Sequence, residues 1–319
     1  MSWFFLSVIT MLCWGAADLF YKKGTDESDK LSHLKIAVWV GLVMGICAFA
    51  LLPFTETSFD IASFFRNALA YSPASLAYII SMVIGYAGLR YLEVSIISPV
   101  QNASGALSMI VMVIFFALTG SMTSFGDEFS VIDIAGTVLI VAGVIALAIV
   151  EHKIEKPAGE VQKPDKYRFS ALALLFPIAY CVFDTIGTAA DGIILDDEAG
   201  LGLGEIDVLV LYGFTFLIAG IAAYLFMLVK TKKAYNPFAR SERDKGVAAL
   251  FEEGGQIFYV YAMASRPMLA APLVASYCIV SVILSRIFIK EKLKASQYAC
   301  VFTVIVGIVL LGISDGLNS

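Results

Sequence analysis

The strongest constraint on this chain is a series of long apolar runs separated by polar segments. A membrane-spanning helix needs about 20 mostly apolar residues. Ten runs approach that length: residues 3–21, 34–54, 74–91, 95–118, 130–150, 169–190, 206–229, 247–264, 269–289 and 296–313. We therefore predict an all-α polytopic membrane protein with ten transmembrane helices, called spans one to ten. Residues 58–71, SFDIASFFRNALAY, are typical of a short interfacial helix between spans two and three.

The composition supports a membrane protein. The 319 residues are 59% hydrophobic and 15% charged, whereas a soluble domain is about 25% charged. A soluble fold of this length would lack the polar residues to cover its surface. All five cysteines lie in apolar runs without a CxxC pair, so we expect neither a disulfide framework nor a metal site.

The two halves of the chain share an ordered set of features. We divide the chain into a first five-helix repeat (1–150), a polar linker (151–168) and a second five-helix repeat (169–319). The corresponding features are Trp14 and Asp18 with Tyr180 and Asp184, Pro99 with Pro272, and Gly143 with Gly307. An odd number of spans in each half gives the halves opposite orientations, so we predict two inverted five-helix repeats.

Basic residues predict the orientation. The loops after odd-numbered spans hold 20 Lys and Arg residues, whereas the loops after even-numbered spans hold only Arg66 and Arg266. Cytoplasmic loops carry the excess of positive charge. We therefore predict a multi-pass protein of the cytoplasmic (inner) membrane with both termini outside, and with the acidic segment 191–207 as an outer loop.

The chain resembles the drug/metabolite transporter superfamily, in its ten-span EamA-type form. The resemblance rests on the five-plus-five duplication, on CWGAAD (13–18), on the proline-led fourth and ninth spans, and on KEKLKASQYACVFTVIVGIVLLG (290–312). It implies a transporter of small solutes and covers nearly the whole chain. The family is usually drawn with cytoplasmic termini, which differs from the charge-derived orientation that we keep.

Several function classes have no support in the sequence. The chain contains no GxxxxGK[ST] phosphate loop and no HExxH or GxSxG motif, so we predict neither ATP hydrolysis nor another enzymatic activity. We expect no cofactor and no nucleic-acid partner. The expected partners are a small-molecule substrate, protons and the lipid bilayer, and a homo-oligomer is left open.

Four acids within the apolar runs are the candidate site: Asp18, Asp184, Glu252 and Glu253. Each costs about 2.5–3.5 kcal/mol at the bilayer centre, which favours a functional role. Glu252, Gln256 and Tyr259 are spaced to form one helical stripe. Because a polar stripe is unfavourable in lipid, we expect this stripe to face a cavity.

Further candidates share a helix face with an acid or lie beside the prolines of spans four and nine. They are Trp14, Tyr180, Asn102 and Tyr277. Plainer explanations stay open. Asp18 could instead form an ion pair with Lys22, and Asp184 could cap a helix near Pro177. Asn102 could instead form a hydrogen bond between helices. Glu253 is the better candidate for a structural role, because Glu252 has the clearer stripe.

The distribution of basic residues separates the substrate classes. No Lys or Arg lies at mid-span, whereas a carrier of sugar phosphates needs cations against its substrate. We predict a proton-coupled secondary transporter of a small organic cation or zwitterion, working by alternating access. The alternatives are a carrier of a neutral metabolite or sugar, with acids that serve only protons, and a non-transporting membrane scaffold or receptor.

Overall fold

The structure is a computed structural model that describes residues 1–26, 28–55, 61–92, 94–122, 124–154, 173, 175–196, 200–289 and 294–318. These residues form helices joined by connections, and no strand occurs among them. The helices are α1 (Trp3–Gly24), α2 (Ser32–Leu51), α3 (Ile61–Gly88), α4 (Val94–Gln101), α5 (Ser104–Thr119), α6 (Phe125–Glu128), α7 (Val131–Ile154), α8 (Leu175–Ile194), α9 (Glu205–Thr231), α10 (Arg243–Ser265), α11 (Pro267–Ala275), α12 (Tyr277–Leu284) and α13 (Ala295–Asn318).

Eight helical segments of the described chain are long and apolar enough to cross a membrane. They are residues 3–24, 32–54, 62–88, 97–119, 131–150, 205–231, 267–288 and 295–317. The all-helical membrane class is therefore confirmed. The other two predicted spans coincide with α8 and α10, which are 20 and 23 residues long and carry intramembrane acids.

The segment before span three is not a separate interfacial helix, so that prediction was wrong. Helix α3 runs without interruption from Ile61 to Gly88 and contains Pro73. A proline inside a helix leaves the carbonyl four residues earlier without its usual partner. Here the Ser72 hydroxyl donates to that carbonyl, of Leu69, at 2.7 Å, so the helix passes through the proline.

The predicted spans four and nine are each interrupted near their prolines. Helix α4 ends at Gln101 and α5 begins at Ser104, while α11 ends at Ala275 and α12 begins at Tyr277. At the first break the Asn102 amide donates to the Ser98 carbonyl at 2.7 Å. At the second the Ser276 hydroxyl donates to the Leu273 carbonyl at 2.6 Å. Each of these carbonyls also accepts the backbone N–H group of the same residue, so side chain and backbone share one acceptor at the break.

The helices pack mainly as antiparallel pairs that join the two halves of the chain. The most extensive contacts are α2 with α9, α1 with α10, α7 with α13, and α3 with α8. In the first pair Gly41 meets Gly220 and Gly45 meets Leu217, so residue numbers rise along one helix as they fall along the other. In the α7–α13 pair Gly136 meets Gly307. Glycine lets two helix backbones approach closely within a membrane.

The structure differs from the sequence prediction at the two predicted loops 191–207 and 151–168. Helix α8 continues to Ile194 and buries Asp191 completely (0% exposed), so this residue does not belong to an outer loop as predicted. Helix α7 extends to Ile154 into the predicted linker. The remainder of that linker and residues 290–293 of the terminal motif lie outside the described residues.

Candidate functional site

A cavity of about 820 Å³, including the space at its mouth, lies between the two halves of the helical bundle. Helices α1, α3, α4 and α5 line it from the first half, and α8 to α12 line it from the second. The broken helices contribute the residues on both sides of their breaks. The cavity is therefore enclosed by the same helices that carry the intramembrane acids.

Nine of the ten predicted site residues line this cavity. They are Trp14, Asp18, Asn102, Tyr180, Asp184, Glu252, Gln256, Tyr259 and Tyr277. Glu253 is not among the lining residues and lies beside Cys47 of α2. The structure thus brings together residues from four helices and from the break between α4 and α5, and their role in binding stays a prediction.

Helices α1 and α10 build the wall that holds Glu252. The indole of Trp14 donates to the backbone carbonyl of Glu252 at 3.1 Å and packs against Gly255, where a Cβ atom would have no room. Thr10 donates to the carbonyl of Gly255 at 3.2 Å. The glycine therefore allows a close approach of the two helices, which fixes Trp14 against the backbone of α10 at Glu252 and Gly255.

An aromatic cluster continues from this wall. The Trp14 ring centroid lies 5.1 Å from that of Tyr259 and 5.8 Å from that of Tyr277. Both centroid distances are within the usual range for interacting aromatic pairs. On the opposite wall Tyr180 and Gln101 pack against Gly85 of α3.

The two aspartates are held by serines near the helix breaks. Asp18 accepts hydrogen bonds from Ser98 at 2.8 Å and from Ser281 at 2.7 Å. Asp184 accepts one from Ser104 at 2.6 Å. Neither aspartate is fully buried, because each faces the cavity. The ammonium of Lys22 donates to the carbonyls of Leu89 and Leu92. Among the described residues Asp18 is held by hydroxyl groups, whereas an ion pair with Lys22 had been the open alternative.

The sequence analysis missed three of the tyrosines in the lining. Seven tyrosines face the cavity, namely Tyr21, Tyr78, Tyr86, Tyr180, Tyr212, Tyr259 and Tyr277, and Tyr21 shares a helix face with Asp18. Tyr78 and Tyr86 of α3 and Tyr212 of α9 had no acid at helical spacing within the predicted spans 74–91 and 206–229 to distinguish them from packing residues. Glycine at the contact points was the available signal, because Tyr78 packs against Gly187 of α8.

The lining is acidic and aromatic. Among the described residues that line it, three are carboxylates and none is Lys or Arg. Asp18 and Asp184 are both near enough to Glu252 to act on it electrostatically. Such a site can attract a cation by charge and by the faces of its aromatic rings, or it can exchange protons on its carboxylates.

Comparison with known proteins agrees with a transporter. Residues 199–313 match the profile of the EamA-like transporter family, so an EamA-like domain is present in the second half of the chain. This is a family of membrane transporters and not of enzymes. A solved structure titled "Crystal structure of protein" has a TM-score of 0.61 at 12% identity, covering 99% of this chain and 98% of that chain. At this identity the likeness establishes the fold alone. No curated protein matches the chain.

Proposed function

We propose that the protein is a proton-coupled secondary transporter of a small organic cation or zwitterion. The observation that carries the proposal is the central cavity, which three carboxylates and seven tyrosines line, and to which the described part of the chain contributes no Lys or Arg. An anionic substrate would meet only negative charge there. A substituted ammonium group would be attracted by the carboxylates and by aromatic rings, each ring contact contributing about 0.5–2 kcal/mol.

We further infer that the fold has ten spans arranged as two inverted repeats. Exchanging the halves turns the α1–α10 pair into the α8–α3 pair, and both are extensive. The same exchange leaves the α2–α9 and α7–α13 pairs unchanged. Opposite orientation of the halves is also supported by the antiparallel packing of these pairs.

Corresponding contacts of the two halves also occur within the site. Trp14 of α1 packs against Gly255 of α10, and its counterpart Tyr180 of α8 packs against Gly85 of α3. The two broken helices are likewise counterparts. Such a pair of related half-sites suits alternating access, in which one half rocks against the other around a central substrate.

The orientation remains a proposal from the basic residues, with both termini outside the cytoplasm. A reporter active only outside should function when fused after residue 319. A reporter active only in the cytoplasm should function within 151–168. The opposite pattern would reverse the orientation without affecting the cavity.

Choline and its neutral isostere 3,3-dimethylbutan-1-ol test the substrate charge directly. The two molecules have the same shape, so purified protein should gain thermal stability with choline and much less with the alcohol. A ligand at 100 times its dissociation constant adds about 2.7 kcal/mol to the free energy of unfolding. Stabilisation by glucose 6-phosphate without any by choline would contradict the proposal.

A carrier of a neutral solute is the second candidate. The amides of Gln101, Asn102 and Gln256 line the cavity beside the tyrosine hydroxyls, and these groups suit the hydroxyls of a sugar or polyol. In that case choline and its isostere should raise the thermal stability of the protein equally little, and a neutral polyol such as glucose should stabilise it.

A further inference from the structure

A second buried carboxylate lies just outside the cavity, on the same helix as Asp184. The Asp191 side chain is 0% exposed, as is the Tyr71 side chain of α3. The Tyr71 hydroxyl donates to one oxygen of Asp191 at 2.8 Å. The other oxygen, Oδ2, is buried and has no hydrogen-bond partner among the described residues.

The Asp191 carboxylate, with a hydrogen bond at only one of its two oxygens, is unfavourable as an anion. Burying a charge is costly unless it is paired and fully hydrogen-bonded. An acid that served only packing would gain nothing from an unpartnered oxygen. Protonation of Oδ2 removes the buried charge, and the Tyr71 hydrogen bond to Oδ1 is retained.

Hydroxyl groups of cavity-lining residues lie near Asp191, and Tyr78 is close enough to act on its carboxylate electrostatically. The Tyr78 hydroxyl lies 2.7 Å from that of Tyr259 and 3.2 Å from that of Thr188. All three of these residues line the cavity. Asp184, Thr188 and Asp191 follow at helical spacing along one face of α8.

The surroundings of Asp191 contain no basic group in the described part of the chain. The titratable groups facing it are Tyr71 and Tyr78 of α3, Tyr212 of α9 and Tyr259 of α10, with Asp184 on its own helix. From α5, α10 and α11 the neighbouring Gly192 is covered by Met112, Met263 and Pro267. A proton is therefore the positive charge that this site can accept without rearrangement.

Asp191 also lies between the cavity and the face of the even-numbered loops. Pro267, which packs against Gly192, lines a second cavity together with Glu128 and Asp196. The first cavity reaches as far as Thr188, three residues before Asp191. The carboxylate is thus positioned between the two spaces.

We propose that Asp191 is a second proton-binding site, which passes the coupled proton between the cavity acids and the second cavity. The inference deepens the proposed function, since it rests on proton coupling. A proton leaves the carboxylic acid of Asp184, and each hydroxyl on the route accepts one proton as it donates its own. The carboxylate of Asp191 gains the proton and becomes neutral. Asp191 later releases this proton to water in the second cavity. No other bond changes.

Infrared difference spectroscopy tests the site without any substrate. Purified protein taken through a pH change should show carbonyl bands of buried carboxylic acids, and Asp191→Asn should remove one of these bands while those of the cavity acids remain. Asp133→Asn is the matched control, because Asp133 is buried but held by the amide and hydroxyl of Ser130. The control should retain the band, and an unchanged spectrum in Asp191→Asn would overturn the proposal.

A second variant keeps the test decisive if Asp191→Asn does not fold. Tyr71→Phe retains the carboxyl and removes its hydrogen bond, so the carbonyl band should move to higher frequency. A band in the same place would mean that the titrating acid is not Asp191.

Transport of choline in proteoliposomes then tests the route. Asp191→Asn should lose accumulation driven by a pH gradient and keep choline counterflow, which needs no net proton movement. Wild-type protein that carries choline without protons would contradict the proposed coupling. Coupled wild-type protein with an equally coupled Asp191→Asn would contradict only the route through Asp191.

Discussion

Replacement of Glu252 by glutamine is the sharpest test of the cavity, because it keeps the shape and removes the charge. The Glu252 side chain is 9% exposed and lines the cavity, and the backbone carbonyl of the residue accepts a hydrogen bond from the indole of Trp14. Its neighbour Glu253 has the same chemistry and depth but lies beside Cys47, away from the lining. Glu253→Gln is therefore a matched control within one helix.

The expected loss follows from the charge and the burial. An interaction with a charged partner is worth about 1.5–3 kcal/mol. Since about 1.4 kcal/mol is a factor of ten in affinity, Glu252→Gln should weaken choline binding by roughly 10–100-fold. Asp18 and Asp184 remain in the cavity, so binding should not disappear. Glu253→Gln should change it by no more than about 0.5 kcal/mol, as substitutions away from a site usually do.

Choline affinity and proton-driven uptake should be measured for both variants in the same liposomes. Glu252→Gln should lose uptake and affinity together if the carboxylate holds the cation. Loss of uptake with normal affinity would assign Glu252 to the proton alone. Normal behaviour of Glu252→Gln with an inactive Glu253→Gln would refute the placement of the site on this face of α10.

Two further predictions concern stability. Gly255→Ala should lower the apparent Tm, because the added methyl displaces the ring of Trp14 at a cost of about 1–3 kcal/mol, whereas Gly316→Ala has open space around it and should not. Glu242→Gln removes the partner of the buried Lys245 ammonium, which lies 2.7 Å from Glu242, and should cost about 3–5 kcal/mol. The double variant with Lys245→Met should recover part of this loss, and a double variant less stable than the single would contradict the argument.

Helical periodicity was sufficient to find one wall of the site from the sequence. The stripe of Glu252, Gln256 and Tyr259 predicted a cavity-facing surface, and all three residues line the cavity. The aromatic-to-acid spacing of Trp14 and Asp18 did the same for α1. These features are local to one helix, which is why a single sequence reveals them.

Such local patterns did not predict the wall of the cavity that α3 forms. Tyr78 and Tyr86 lie on α3 among apolar residues, and only the packing of α3 against α8 turns them toward the cavity. Asp191 was missed for a different reason. Its charge and the following Gly192 ended the apolar run at residue 190, although tertiary burial continues the helix to Ile194.

The same limit explains the breaks in spans four and nine. Pro99 and Pro272 marked these helices in the sequence, yet both prolines lie inside α4 and α11, and the helices end shortly after them. At each break a side chain, of Asn102 or Ser276, also bonds back to a backbone carbonyl. The same bond occurs inside unbroken helices, for example from Thr185 to Cys181, so it has no distinct sequence signature.

Helices α8 and α10 carry the intramembrane acids Asp184, Asp191 and Glu252. Their main partners are α3 and α1, and each contact is made close by an aromatic ring lying on a glycine. A helix enclosed in this way does not expose its acids to lipid, so the bilayer no longer requires it to be apolar. Acids on an enclosed helix of such a bundle therefore indicate a helix that lines the path, and apolar substitutions of these acids in α8 or α10 should preserve insertion while they remove proton-driven transport.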